Sequence, residues 1–289
     1  MNAMTRRAVF TRAILLFVLT AIGAAQAVDA HAEDVALITD LQGKSTFAAS
    51  GGELSILARI ADQSQIELAP ASRMVALWLS SGEEYSFVGP AAIRIAASGP
   101  QMLSGAQPTR RPSALKNGVR FDPSRVAQTV FIMRGAKNPR IRLLTLAGTR
   151  TLDPAPEFRW RPIPGVLQYR FELADTTGRA LLEVDVTGEG YRLPAAVKLE
   201  GGANYTWELS TRLPDGRKYA AAGDFSIVPA ALRERVESVR PSAGASLAER
   251  IAFAVWLEEQ ELRDEARKYW KDAATERPGE GTLRQLARE

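Results

Sequence analysis

Four short groupings in this chain carry residue types that could do chemistry: Gly43-Lys44-Ser45, Glu83-Glu84, Ser113-Ala114-Leu115-Lys116, and the acids Glu183, Asp185 and Glu189. The first is a fragment of a phosphate-cradling loop, but that loop needs a glycine where Ile38 stands and a helix after it. A Ser-x-x-Lys string can form a nucleophile–base dyad when both residues share a helix face. Here Pro112 and a run of basic residues surround it, and neither Ser-Asp-Asn nor Lys-Thr-Gly occurs to complete such a site. Glu83 and Glu84 follow Ser81-Gly82 and read as the solvated turn of a hairpin. Glu183 and Asp185 alternate with Leu182, Val184 and Val186, which makes them the polar face of a strand.

The chain has no cysteine and a single histidine, His31. Ser-His-Asp triads, thiol nucleophiles and sites built from imidazole or thiolate ligands all need residues that are missing or stand at one position near the start. The expectation is a non-enzymatic chain with no catalytic residues, no metal site and no cofactor. The five tryptophans Trp78, Trp160, Trp207, Trp256 and Trp270 could stack on a sugar, yet each sits in an apolar phase and reads as core.

One stretch stands apart in charge. Residues 106–142 hold nine basic residues against the single acid Asp122, and Pro108, Pro112, Pro123 and Pro139 interrupt them. This reads as a basic linker, with a strand available over Val126 to Met133. Arg110, Arg111, Lys116, Arg120 and Arg125 are its candidate contacts to an anionic polymer of the cell envelope. The whole chain carries a formal net charge of only +4, which gives no case for nucleic acid.

Short strands must position these residues. Residues 33–105 give a series of apolar runs from Val35 to Ile95, separated by Gly43, Gly82 and Gly89-Pro90, with no stripe of helical period between them. Residues 143–230 alternate large apolar with polar residues in Phe158-Arg159-Trp160, Tyr169-Arg170-Phe171 and Tyr205-Thr206-Trp207-Glu208-Leu209. Phe158, Trp160, Tyr169, Phe171, Trp207 and Leu209 are the predicted core of an antiparallel sandwich. The last part, 246–289, turns helical. Ser246 with Glu249 forms a capping box, and a second helix ends at Arg277-Pro278-Gly279.

Three resemblances follow from these residues. Val75-Ala76-Leu77-Trp78-Leu79 with Gly82 is similar to the hairpin of the FecR-like module of bacterial envelope proteins, with Ser81 where that family usually has Asp. The resemblance implies a small all-β, periplasmic protein-interaction domain. The Phe-x-Trp and Tyr-x-Phe strands resemble a fibronectin type III-like or immunoglobulin-like sandwich, a scaffold fold. Ala254, Leu257, Ala266, Trp270, Ala273 and Pro278 fall at spacings resembling one tetratricopeptide unit. One such hairpin cannot bury its apolar face alone. It must pack on the rest of the chain, on a second copy or on another protein, and Trp256, Leu257 and Trp270 are the candidate partner-binding residues.

At the other end, Arg6, Arg7 and Arg12 precede an apolar run from Ala13 to Ile22 and then small residues, so residues 1–32 read as a signal peptide. The chain is therefore expected in the periplasm with no stable membrane span after cleavage; an uncleaved segment would instead anchor it in the inner membrane. The fold class expected is mostly β: a small all-β module and a β-sandwich, closed by a C-terminal helical hairpin. Its expected role is an envelope adaptor that binds another protein.

Overall fold

The computed structural model of the chain describes residues 33–113, 115, 141–213 and 215–288. It is mostly β, with four helices gathered at the C-terminal end.

Among the described residues, nine strands form the first half: β1 (Asp34–Gln42), β2 (Ser45–Phe47), β3 (Arg59–Ala61), β4 (Gln65–Leu68), β5 (Arg73–Trp78), β6 (Glu83–Val88), β7 (Ala91–Ala96), β8 (Gly99–Ser104) and β9 (Thr109–Pro112). They make two sheets, ordered β3-β1-β5-β6-β9 and β2-β4-β7-β8, with every pairing antiparallel. The basic linker expected from Ala106 onward is thus already strand at Thr109, because β9 pairs with β6. The strand expected over Val126 to Met133 lies outside the described residues.

β1 shows why the first sheet needs cover on both faces. Val35, Ala36, Leu37, Ile38 and Thr39 are all buried, without the alternation of a strand that is wet on one side. The indole Nε1 of Trp78 donates to the Ala96 carbonyl of β7 at 2.9 Å, so Trp78 points at the second sheet. Leu77, one residue earlier, points the opposite way. Across the ladder Leu77 pairs with Leu37 on one side and Glu84 on the other, which puts all three on the face turned away from the second sheet.

The second half begins with β10 (Arg142–Leu143) and β11 (Thr149–Thr151). It continues through β12 (Glu157–Arg161), β13 (Gln168–Asp175), β14 (Ala180–Thr187), β15 (Gly190–Arg192), β16 (Asn204–Arg212) and β17 (Lys218–Ile227). Sheets ordered β10-β12-β15 and β11-β17-β16-β13-β14 enclose the predicted aromatic core. Phe158 lies edge-on to Phe171, Trp207 and Phe225, with ring centroids 4.9, 5.0 and 5.5 Å apart. Gly223, paired with Trp207, is small by necessity. A Cβ there would lie 2.8 Å from the indole Nε1, which donates to the Leu146 carbonyl at 2.7 Å.

Helices α1 (Ala230–Val239), α2 (Leu247–Glu259), α3 (Arg263–Glu276) and α4 (Gly281–Leu286) complete the fold. The residue pattern after Pro229 gives α1 no clear apolar stripe. The Ser246 hydroxyl accepts from the Glu249 N–H while the Glu249 carboxylate accepts from the Ser246 N–H, the reciprocal cap expected there. Val236, Val239, Ile251, Trp256, Leu257, Trp270 and Leu283 share one core with Leu37, Leu77 and the rest of the first β half. The aromatic core of the second half is separate. The helical layer is therefore the other cover of the first sheet.

Polar contacts tie the same layer to the second half. The Glu261 carbonyl, in the α2–α3 connection, accepts from the Arg150 N–H at 2.8 Å and from the Thr149 hydroxyl at 2.9 Å. The Asp264 carboxylate accepts from the Leu146 N–H at 2.8 Å, and the Arg267 guanidinium donates to the Leu144 carbonyl at 3.0 Å. At the far side a bulge between Ile38 and Asp40 turns Asp40 onto the helix-facing side of β1. There Arg277 grips both of its oxygens, at 3.2 and 3.0 Å. This two-pronged, half-buried pair should be worth about 1–2 kcal/mol. Asp40→Ala is expected to lower the melting temperature by roughly 2–6 °C, with Arg277→Ala giving a similar loss and the double variant less than the sum. Additive losses in calorimetry would mean the contact is not what holds the helices there.

Candidate functional site

The polar groups that stand out lie at the β6–β9 edge of the first sheet. Glu83 and Glu84 are strand residues, each only 6% exposed, and not the solvated turn that Ser81-Gly82 suggested. The turn ends at Gly82, whose φ of +65° suits the tight reversal, and the ladder resumes at once with Glu83 opposite Trp78. Being adjacent on a strand, the two acids face opposite sides of the sheet.

Glu83 shares the inner side with Trp78 and Tyr85, whose rings meet edge-on at 4.8 Å. Its carboxylate accepts from the Tyr85 hydroxyl at 3.2 Å and pairs with the Arg110 guanidinium from β9. The acid is thus neutralised and hydrogen-bonded, as a buried carboxylate must be.

Glu84 is different. It extends the row Leu37, Leu77, Glu84, Arg111 that crosses the helix-facing side of the sheet. Its Oε1 is buried without a hydrogen-bond partner. Burial pushes its pKa up to about 7, the nearby Glu249 carboxylate at the start of α2 pushes the same way, and Arg111 offsets part of this.

The other predicted residues fall as follows. Arg110 and Arg111 are exposed on β9, each facing one of these acids. Lys116, Arg120 and Arg125 lie outside the described residues. Trp256, Leu257 and Trp270 are at most 2% exposed, covered by the chain's own first sheet and neighbouring helices. Their expectation as a partner-facing surface is corrected by that burial: the apolar stripe is spent inside the molecule. Trp78, Trp160 and Trp207 are equally buried, so none of the five offers a stacking platform. Ser113 accepts from the Leu115 N–H at 3.2 Å in a local turn.

On the second half, Arg170 of β13 forms the hub of an exposed acidic cluster. It pairs with Glu183, and lies 3.6 Å from Asp185 and 4.0 Å from Glu172. One positive charge among three negative ones leaves the patch acidic. β14, which carries two of the acids, is the outer strand of its sheet, with its second edge unpaired among the described residues.

No family model matches the chain. No curated protein matches it either. Among solved structures, the crystal structure of CopC from Methylosinus trichosporium OB3b aligns with 32% of this chain and 96% of that one, at 17% identity and a TM-score of 0.24. Similarity that low carries no argument about function. Among the described residues no group of His, Cys, Asp or Glu is arranged to hold a metal, and no helix is long and apolar enough to cross a membrane.

The Glu84 environment dictates a pH dependence. The folded chain keeps a proton on Glu84 up to about pH 7, whereas the unfolded chain loses it near the ordinary value of 4.5. Its contribution is therefore most favourable below about 4.5 and is lost as pH rises through 7. Glu84→Gln, which keeps the shape and removes the charge, should be more stable than the parent at pH 8 by on the order of 3 kcal/mol. The gap should shrink toward zero at pH 4.5; denaturant titrations at the two pH values check this, and a gap independent of pH would show that Glu84 is ionised throughout.

Proposed function

We propose that this chain is an exported, non-enzymatic adaptor of the cell envelope that binds a partner protein by strand addition to β14. The support comes first from the export-type residues 1–32 and the FecR-like hairpin pattern around Val75 to Gly82, and then from how the fold uses its surfaces. The helical layer spends its apolar residues on covering the first sheet, so a partner must find another surface. β14 supplies one: an eight-residue outer strand with Ala180, Glu183, Asp185 and Thr187 exposed and Leu181, Leu182 and Val184 half-buried. An added strand gains main-chain hydrogen bonds along that edge, and alternate side chains can cover the half-buried leucines.

The observation that carries the reading is the charge beside that edge. Glu172, Glu183 and Asp185 surround the single Arg170. A partner segment rich in Lys or Arg relieves this imbalance, so the partner expected is an extended, basic stretch of an envelope protein. A photo-cross-linking residue at Thr187 should yield one discrete adduct in the native envelope. Glu183→Lys with Asp185→Lys should weaken that adduct about tenfold while leaving the melting temperature within a few degrees. No adduct, or one indifferent to charge reversal, overturns the proposal.

A second reading is favoured by the exposure of Arg110 and Arg111 on β9, where the basic stretch begins. It makes the chain a binder of an anionic envelope polymer. Retention on lipopolysaccharide should then fall with added salt and be lost in Arg110→Gln with Arg111→Gln; retention that ignores salt excludes it.

A further inference from the structure

Glu84 sits where the first sheet meets the helical layer, and nothing in its surroundings completes it. From β5 it meets Leu77, which is wholly buried and apolar. From β9 it meets Arg111, exposed at the sheet edge. From α2 it meets the like charge of Glu249, whose carboxylate is already committed to the Ser246 N–H and hydroxyl at 2.8 and 3.0 Å. Arg250, the next residue of α2, pairs with Glu276 of α3 and offers no counter-ion. One of its carboxylate oxygens, Oε1, is left buried and unpartnered.

We propose that Glu84 is a proton-operated latch between the first sheet and the first turn of α2. With its proton the side chain is neutral and lies under α2 at little cost. Without it, a charge with an unsatisfied oxygen faces the Glu249 carboxylate, and the ionised form is favoured by any motion that lets water in.

The fold also says which part moves. β6 is held on both sides by the β5 and β9 ladders. The Glu261 end of α2 is tied to Thr149 and Arg150, and the end of α3 to Asp40. The start of α2 is preceded by the exposed residues Ser242, Ala243 and Gly244, and its cap is made within its own turn, so it can lift without breaking its cap. Raising the pH through neutrality would therefore free the first turn of α2 and uncover Leu247, Ala248 and Ile251 while the rest of the chain stays folded. This inference does not rest on the β14 reading.

Hydrogen exchange on the full chain tests it, expressed as protection factors so that the pH dependence of intrinsic exchange is removed. Between pH 5.5 and 8, protection at amides 247–253 should fall about 10- to 30-fold, and protection in β13 and β16 should not follow. Glu84→Gln should hold 247–253 protected at both pH values. Glu249→Gln should shrink the fall, since it removes the opposing charge. A carbon-detected titration of the Glu84 carboxyl gives an independent check on the parent chain. A fall shared by all strands, a fall that persists in Glu84→Gln, or a Glu84 midpoint near 4.5 would each overturn the latch.

Discussion

A helical stretch with no polar side has to be covered on every side, and the middle of α2 is such a stretch. Seven consecutive residues, Ile251 to Leu257, are buried, which leaves no face for water. One side takes the sheet through Leu37 and Leu77, and α3 and the short α1 take others through Trp270, Val236 and Val239. The layered order of the molecule follows from that demand. The first sheet is sandwiched between a second sheet and the helices, so β1 is buried on both faces, and the helices are in turn available to clamp the second sandwich only through polar groups at their ends.

That division of labour is chemical. Contact with the first half is apolar and spread over many side chains. Contact with the second half runs through a few main-chain groups around Leu146, Thr149 and Glu261. Leu146 and Glu261 both adopt left-handed backbone, with φ of 55° and 62°, a conformation that non-glycine residues hold only where surrounding bonds enforce it. At Leu146 the enforcement is visible: its N–H goes to Asp264 of α3 and its carbonyl to Trp207 of the sandwich. A single peptide segment thereby links the aromatic core of one half to the helices that complete the other.

Much of this was legible in the residues. Alternation at Phe158, Trp160, Tyr169 and Phe171 places the sandwich core correctly, and Ser246 with Glu249 marks the start of α2. Periodicity reports how a segment is wetted, however, and not by what it is covered. Glu83-Glu84 looks like a turn because two adjacent acids on a strand are unusual unless both faces are occupied, and that occupation comes from β9 and from α2, far away in sequence. Trp256 and Trp270 read as apolar, yet their spacing could not say whether sheet, second copy or partner would cover them. α1 is hard to see in the residues because Arg233, Glu234, Arg235 and Glu237 dilute the Leu232, Val236, Val239 stripe that follows Pro229. Glu183 and Asp185 read as the polar face of a strand, and their clustering around Arg170 appears only once β13 and β14 are paired.

Chain order gives the helical layer one more consequence. The first half is made of residues 34–112 and the helices after Pro229, so the second sandwich is an insertion within it. Asp40 and its partner Arg277 are separated by 237 positions. During synthesis the outer face of the first sheet emerges early and waits for nearly the entire remaining chain before its cover exists. Contacts of such long range are slow to form, and a sheet with Leu37 and Leu77 uncovered invites association with other chains in the interval. The aromatic sandwich, whose strands all lie within residues 142–227, can close without the rest of the chain and hold the two ends of the insertion near one another through the β11–β17 ladder. Its place in the middle of the chain makes it the scaffold on which the rest is gathered.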